Sequence, residues 1–278
     1  MTTSIGQGTA LITGASSGIG AVYAKRLAER GYDLILVARN RQRLVDLANA
    51  ISNENGRAVE TMAADLTDPQ DVARIEDAVR HDASLTLLVN NAGVGATQSL
   101  LNADLKEMLA MIALNVTAVT QLTHAVVPGF VERGHGTIIN IASIAAIAPE
   151  LLNGVYGGSK AFVLAFSQSL HHELASQGVQ VQAVLPGATA TDFWELAGLP
   201  LADLAVNVPV MSSEDMVDAA LSGLERGELV TLPALPDIED WNAFEAARQH
   251  LLPNLSSRTP ASRYMTCLLY TSPSPRDS

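Results

Sequence analysis

The sequence predicts a single doubly wound α/β domain over residues 1–266, and three observations lead there. Short apolar runs recur along the chain and are continuous rather than alternating, as the strands of a parallel sheet covered on both faces must be. Segments with helical spacing of apolar residues separate them. No repeat and no stretch rich in Pro, Gly or Ser divides the alternation, so it belongs to one domain.

In chain order, the strand candidates are TALITGA (9–15), DLILVA (33–38), LTLLVNNAG (85–93), GTIINIAS (136–143) and VQVQAVLPG (179–187). RAVETMAADL (57–66) and ELVTLPAL (228–235) are weaker ones, being less uniformly apolar. Ile19, Val22, Tyr23 and Leu27 fall on one face of a helix that Gly31 would end. Asp68 followed by Pro69 opens another, a cap and then a residue with no N–H to lose. The longest apolar run, 108–131, carries Asn115, Gln121, His124 and Pro128. Those residues favour a buried helix over a membrane span.

The chain has 278 residues, 29 Asp+Glu against 17 Lys+Arg, and a formal net charge of −12. Such a balance repels a phosphate backbone, so no nucleic-acid partner is expected, and no membrane either. The N-terminus lacks a basic–apolar–small signal pattern, which places the mature start at Met1. Residues 267–278, CLLYTSPSPRDS, have neither helical nor strand periodicity and read as the translation of a sequencing adapter. We exclude them from the fold, and on that reading the natural chain is truncated near Thr266; a genuine tail is the alternative. The only cysteine, Cys267, goes with them, leaving no thiol chemistry and a composition that suits the cytoplasm.

TGASSGIG (13–20) joins the first strand to the first helix, with Gly14, Gly18 and Gly20 in G-x3-G-x-G spacing. Glycines there allow a tight turn and close backbone approach, and the N–H groups of the helix start can face a pyrophosphate. Gly14, Ser16, Ser17, Gly18, Ile19 and Gly20 are therefore expected to bind a dinucleotide. In an NAD site an acid about 20 residues on would hold the ribose 2′-hydroxyl. Here Ala38, Arg39 and Asn40 occupy that place. Arg39 would instead bind a 2′-phosphate through charge-assisted, forked hydrogen bonds, which selects NADP(H). Arg41 and Arg43 follow in LVARNRQR, and either a supporting role or a solvated helix face accounts for them.

Ser143 closes a strand, and Tyr156 and Lys160 lie four apart on the helix after it, so both project from one face. A free phenol, with a pKa near 10, exchanges protons poorly at neutral pH. A nearby ammonium, together with the nicotinamide charge, is expected to lower it, fitting Tyr156 for acid/base work on a carbonyl or alcohol. Ser143 would hydrogen-bond the same oxygen. By contrast, HHEL at His171 is no zinc motif, because position 176 is serine, and no metal is expected.

With these motifs the chain resembles the short-chain dehydrogenase/reductase family from about Thr9 to Arg226. The resemblance rests on the 13–20 turn, Asn90-Asn91-Ala92-Gly93, Asn115, Ser143, Tyr156 with Lys160, and Pro186-Gly187. It implies a Rossmann-type, predominantly parallel seven-stranded sheet in the order 3-2-1-4-5-6-7, and a catalytic tetrad of Tyr156, Lys160, Ser143 and Asn115. In that scheme Tyr156 protonates the carbonyl oxygen, NADPH delivers hydride and Lys160 also holds the nicotinamide ribose. Asn115 would bind a water relaying protons to Lys160; a polar group satisfying local backbone is the other reading of it. The resemblance further implies cofactor contacts from Asp65, Leu66, Asn91, Ala92, Gly93, Pro186, Gly187, Thr189 and Thr191.

Residues 145–153 and a lid at about 190–211 should line the substrate side, both apolar, with Phe193 and Trp194 either in the lid or completing a core. An uncharged, fairly hydrophobic ketone, aldehyde or alcohol fits them. Similar proteins pair the helices bearing Asn115 and Tyr156, so Ala161, Phe162, Ala165, Phe166 and Ser169 point to a homodimer or homotetramer. Two other functions stand beside the NADP(H)-dependent carbonyl reductase or alcohol dehydrogenase. An extended-type sugar epimerase or dehydratase would show G-x2-G-x2-G spacing and a larger C-terminal domain. A non-catalytic NADP sensor would more naturally have lost Tyr156 or Lys160.

Overall fold

The computed structural model describes residues 7–206 and 208–264, and the chain divides into two compact units, 1–234 and 235–278. Met1 and the expected adapter-derived segment 267–278 lie outside the described residues.

In the first unit β1 (Thr9–Thr13), β2 (Asp33–Ala38), β3 (Val59–Ala63), β4 (Leu85–Asn90), β5 (Gly136–Ile141), β6 (Val179–Val184) and β7 (Val230–Thr231) form one sheet. Its order is β3-β2-β1-β4-β5-β6-β7, and every neighbouring pair is parallel. All seven expected strands are present, but the apolar runs overestimate their length. β1, β4, β5 and β6 stop two to three residues before Ala15, Gly93, Ser143 and Gly187. Those trailing residues leave the sheet at its C-terminal edge, where open parallel sheets place ligands. Pro233, with no N–H to donate, lies just beyond the two-residue edge strand β7.

The helices are α1 (Gly18–Glu29), α2 (Arg41–Asn55), α3 (Pro69–Arg80), α4 (Leu105–Ile112), α5 (Val119–Arg133), α6 (Gly154–Leu174), α7 (Phe193–Leu196), α8 (Leu201–Ala205) and α9 (Ser213–Glu225). Alternate residues of each inner strand face opposite layers. Ile12, Leu34, Leu36 and Val89 pack with Val22, Tyr23 and Leu27 of α1 and with Met216 and Val217 of α9. Leu11, Ile35, Val37 and Leu88 pack with Ile75 of α3, Leu122 and Phe130 of α5, and Leu170 of α6. Each such leucine or isoleucine contributes about 2 kcal/mol by leaving water. The caps follow the sequence: the Asp68 carboxylate accepts from Gln70 N at 2.9 Å with Pro69 as first helical residue, and Gly31 takes φ 94° after α1.

The long apolar run forms one helical rod, Leu105–Arg133, but not a uniform one. A π-helical stretch, Ala113–Ala118, separates α4 from α5. By length and composition alone the rod could cross a membrane, yet Leu122, Ala125, Val126 and Phe130 pack into the sheet's core while His124 faces solvent.

The second unit holds α10 (Ile238–His250). Asp237 caps it by accepting from Glu239 N at 2.9 Å, and the rings of Trp241 and Phe244 lie 5.3 Å apart.

Candidate active site

The C-terminal ends of the strands open into a cleft of about 930 Å³ within the first unit. Its floor begins at the glycine turn. Gly14 and Gly18 have φ of 66° and 53°, values that favour glycine. A Cβ on Gly20 would run into the Gly14 carbonyl, so the turn is as tight as the chain permits. Asn40, Asp68 and Asp104 cap α2, α3 and α4 with side-chain acceptors, whereas Ser17 makes no such bond at α1, which also has no acid in its first turn. The first N–H groups of α1 therefore face the cleft without a side-chain cap, the condition for holding a phosphate.

Thr13 ties this turn to the next loop. Its Oγ1 donates to Val89 O at 3.2 Å and accepts from Asn91 N and Ala92 N, both at 3.0 Å; Asn91 Nδ2 donates to Thr13 O at 2.8 Å. Asn91, expected as a cofactor contact, thus uses its amide mainly on β1, though it still lines the cleft with Ala92 and Gly93.

Arg39, Asp65 and Leu66 line one end, and Gly14, Ser16, Ser17, Gly18 and Ile19 the turn. Pro186, Gly187, Thr189 and Thr191 lie opposite, where the methyl of Thr191 would sit 2.9 Å from a Cβ on Gly18. The arginines divide. Arg43 lines the cleft and bridges Asp192 of the opposite segment at 3.1 Å, whereas Arg41 does not line it. Asp65 is held by Thr67, whose N and Oγ1 donate to it at 2.9 and 2.8 Å.

At the other end Ser143, Tyr156 and Lys160 converge. Asn153 starts α6 by accepting from Val155 N at 2.8 Å and donating to Gln98 O at 2.6 Å, which sets the helix against the neighbouring loop. Tyr156, Ser159, Lys160, Val163 and Ser167 then form its buried face. Ser143 Oγ accepts from Ala145 N at 3.1 Å and is hydrogen-bonded to the Tyr156 phenol. Lys160 Nζ donates to Ile141 O at 2.8 Å and lies 5.8 Å from the Tyr156 ring centre.

The expected lowering of the tyrosine's pKa is not what the chain alone produces. Burial pushes the Tyr156 phenol up to about 12, although the Ser143 hydrogen bond pulls it down. Burial also draws Lys160 from 10.5 to about 8. Both groups have left water, and desolvation is the largest cause of each shift.

Asn115 and Gly20 do not line the cleft. Asn115 sits in the π-helical stretch, buried, and both amide hydrogens are committed: Nδ2 donates to Val94 O at 2.9 Å and to Ser159 Oγ at 3.1 Å. Its Oδ1 accepts from Val94 N at 3.1 Å. A Cβ on Gly93 would lie 3.2 Å from that Oδ1 and 3.4 Å from Lys160 Nζ, so Gly93 leaves open the space between them. A π turn at this point fits the tendency of such turns to mark functional positions.

The lid region holds α7 and α8 and is tied back by a bridge between Thr189 and Met211. Its two aromatics separate: Trp194 is buried and donates Nε1–H to Thr189 O at 2.9 Å, while Phe193 packs on Tyr156 with ring centres 5.8 Å apart. Ala145, Leu151 and Leu152 supply apolar wall from the 145–153 side, next to Ile144 just before it. Sequence reading missed the Ile141 carbonyl, which carries no residue signal, and Ser159, which its place three residues after Tyr156 could have revealed.

A family model described as short chain dehydrogenase matches residues 8–198. Among solved structures, a short-chain dehydrogenase from Sphingobium yanoikuyae in complex with NADPH is 46% identical, with a TM-score of 0.89 over 92% of this chain and 100% of that one. A bulky-bulky ketone specific alcohol dehydrogenase from Comamonas testosteroni is 42% identical, with a TM-score of 0.85 over 93% and 99%. A very-long-chain 3-oxoacyl-CoA reductase of Anas platyrhynchos is 37% identical over 66% of this chain, which spans 60% of that protein's length.

Proposed function

The chain belongs to the short-chain dehydrogenase family, and on that premise we propose that it is an NADP(H)-dependent oxidoreductase interconverting an uncharged, fairly hydrophobic ketone or aldehyde and its alcohol. One observation carries the reading: Ser143, Tyr156 and Lys160 converge in a cleft continuous with a glycine turn whose helix lacks a side-chain cap. That turn, with its close glycine approach, fits a dinucleotide pyrophosphate, and Arg39 fits a 2′-phosphate. When bound there, NADPH supplies the hydride for the carbonyl carbon. Gly14, Ser16, Ser17, Gly18 and Ile19 would hold its pyrophosphate; Asp65, Leu66, Ala92, Gly93, Pro186, Gly187, Thr189 and Thr191 would line the remainder.

The chain's own part is the proton. Tyr156 donates it to the carbonyl oxygen, and a phenol with a pKa near 12 is fully protonated at neutral pH, the state reduction requires. The Ser143 hydroxyl, hydrogen-bonded to that phenol, orients the same substrate oxygen. Lys160, fixed by Ile141 O, is positively charged at pH 7 and favours the phenolate left behind. Proton return passes by Lys160, with Asn115 positioning the loop around Gly93.

The apolar lid and wall support the hydrophobic substrate class, and the ketone enzyme of Comamonas testosteroni points the same way. The 3-oxoacyl-CoA reductase and a serine 3-dehydrogenase of Rhizobium radiobacter, 38% identical over 67% of this chain, show how widely substrates range among relatives. We assign residues 1–266 to one functional domain whose site residues all lie in the first unit, and the lack of cysteine in that span supports the cytoplasm. Exposed Phe162, stacked on Phe166, together with Leu105 and Leu109 supports pairing as a homodimer or homotetramer. The test is a panel of ketones and alcohols followed by NADPH absorbance. Turnover with NADPH well above that with NADH is expected, and no turnover on any carbonyl would overturn the assignment.

A further inference from the structure

We propose that Phe193 is the specificity-determining side chain of this site: seated in a notch left by Gly95, it fills the space that the second large substituent of a ketone would need. The proposal rests on the reading of the site as a carbonyl reductase and names what that reductase excludes.

A carbonyl whose oxygen meets Tyr156 must place both substituents against the surrounding apolar wall. One side of that space is already taken. The Phe193 ring lies against Tyr156, tilted by 51°, and belongs to the small cluster that includes Met111, Ala145 and Leu152. The ring reaches this place because Gly95 has no side chain. A Cβ there would strike Phe193 Cζ and stand 3.0 and 3.2 Å from Cε2 and Cε1, and these ring atoms are its three nearest neighbours. Gly95 does not have a positive φ, so neither the turn nor the backbone demands glycine. What the missing methyl accommodates is the ring.

The two neighbouring aromatics are held differently. Trp194 is anchored by its hydrogen bond to Thr189 O and offers an edge-on contact to Phe193, with ring centres 5.3 Å apart. Phe193 has no polar atom in its side chain, so only packing retains it. It opens the four-residue helix α7, and its backbone N–H is held by Thr191 Oγ1 at a long 3.3 Å. It is therefore the side chain that can yield, and the one whose bulk sets what enters.

Gly95→Ala tests this without removing an atom of the site, since the three atoms nearest the added methyl all belong to the movable end of Phe193; Phe193→Ala and Phe193→Leu remove the bulk directly. At saturating NADPH, the ratio of kcat/KM for a diaryl ketone to that for an aryl methyl ketone should rise about tenfold in Gly95→Ala and Phe193→Ala and less in Phe193→Leu. Calorimetric affinity for a diaryl amide, which is not reduced, should rise in the same order in the NADP-bound protein. Unchanged ratios and unchanged amide affinity, in variants that melt like wild type, would overturn the role of Phe193. Failure of the wild type to reduce either ketone would instead defeat the reductase reading, and amide affinity would still report on Phe193.

Discussion

Lys160 gives the most quantitative handle on the site, because its charge is buried and has one fixed partner. Folding lowers its pKa from 10.5 to about 8, so between these values the unfolded chain holds a proton that the folded chain has released. Below pH 8 the folded protein carries the full penalty of a buried ammonium, about 3 kcal/mol at 1.36 kcal/mol per pKa unit, and the penalty fades as pH rises toward 10.5. Lys160→Met removes it, while leaving Ile141 O without its donor at every pH. Urea unfolding of cofactor-free wild type and variant should thus differ by an amount that depends on pH. Between pH 7 and 9.5, wild type should gain about 2 kcal/mol relative to the variant. Tyr156 works in the opposite sense, but its contribution is lost only as pH rises from 10 to about 12, above this window. A difference that stays flat from pH 7 to 9.5 would show that Lys160 is not desolvated as its surroundings imply.

Tyr156→Phe should lower turnover roughly 10²–10⁴-fold, the usual worth of a placed general acid, with NADPH affinity by calorimetry unchanged; substantial residual turnover would remove Tyr156 from its role. Arg39→Asp should cost NADPH roughly 10–100-fold in affinity and leave NADH little affected, and a wild type that already favours NADH would refute the selector. Asp192→Asn releases Arg43 from a pair in which both side chains are more than half exposed. NADPH should then bind up to about fivefold more tightly, the scale of a surface ion pair, whereas weaker binding would show that Asp192 assists the cofactor.

The sheet was legible because its inner strands are buried on both faces, and even the two-residue β7 left an apolar trace in ELVTLPAL. Strand ends were not, since the loops that build the site are as apolar as the strands they continue. Tyr156, Lys160 and Ser143 could be found because a helix face and a strand end are local patterns. Nothing local told Arg43 from Arg41: they are two positions apart on α2, and only the fold brings Asp192 across to one of them. The π turn around Asn115 was equally hidden, because its composition is that of any apolar helix. The upward shift of Tyr156 in the chain alone was hidden for a related reason. Spacing reveals the neighbouring charge but not the depth at which both groups lie.

Thr13 also bears on how the molecule comes to exist. Its hydroxyl connects residues 76 to 79 positions away in sequence, and through them the glycine turn acquires its second wall. A nascent chain that ends before residue 85 has the turn but nothing for Thr13 to hold. Ser143 and Tyr156 are later still. Long-range pairing of this kind slows folding, because loop closure must precede any gain from contact. The cleft therefore cannot close before β4 has docked beside β1 and β5 beside β4, so the chain's chemistry waits on its central strands.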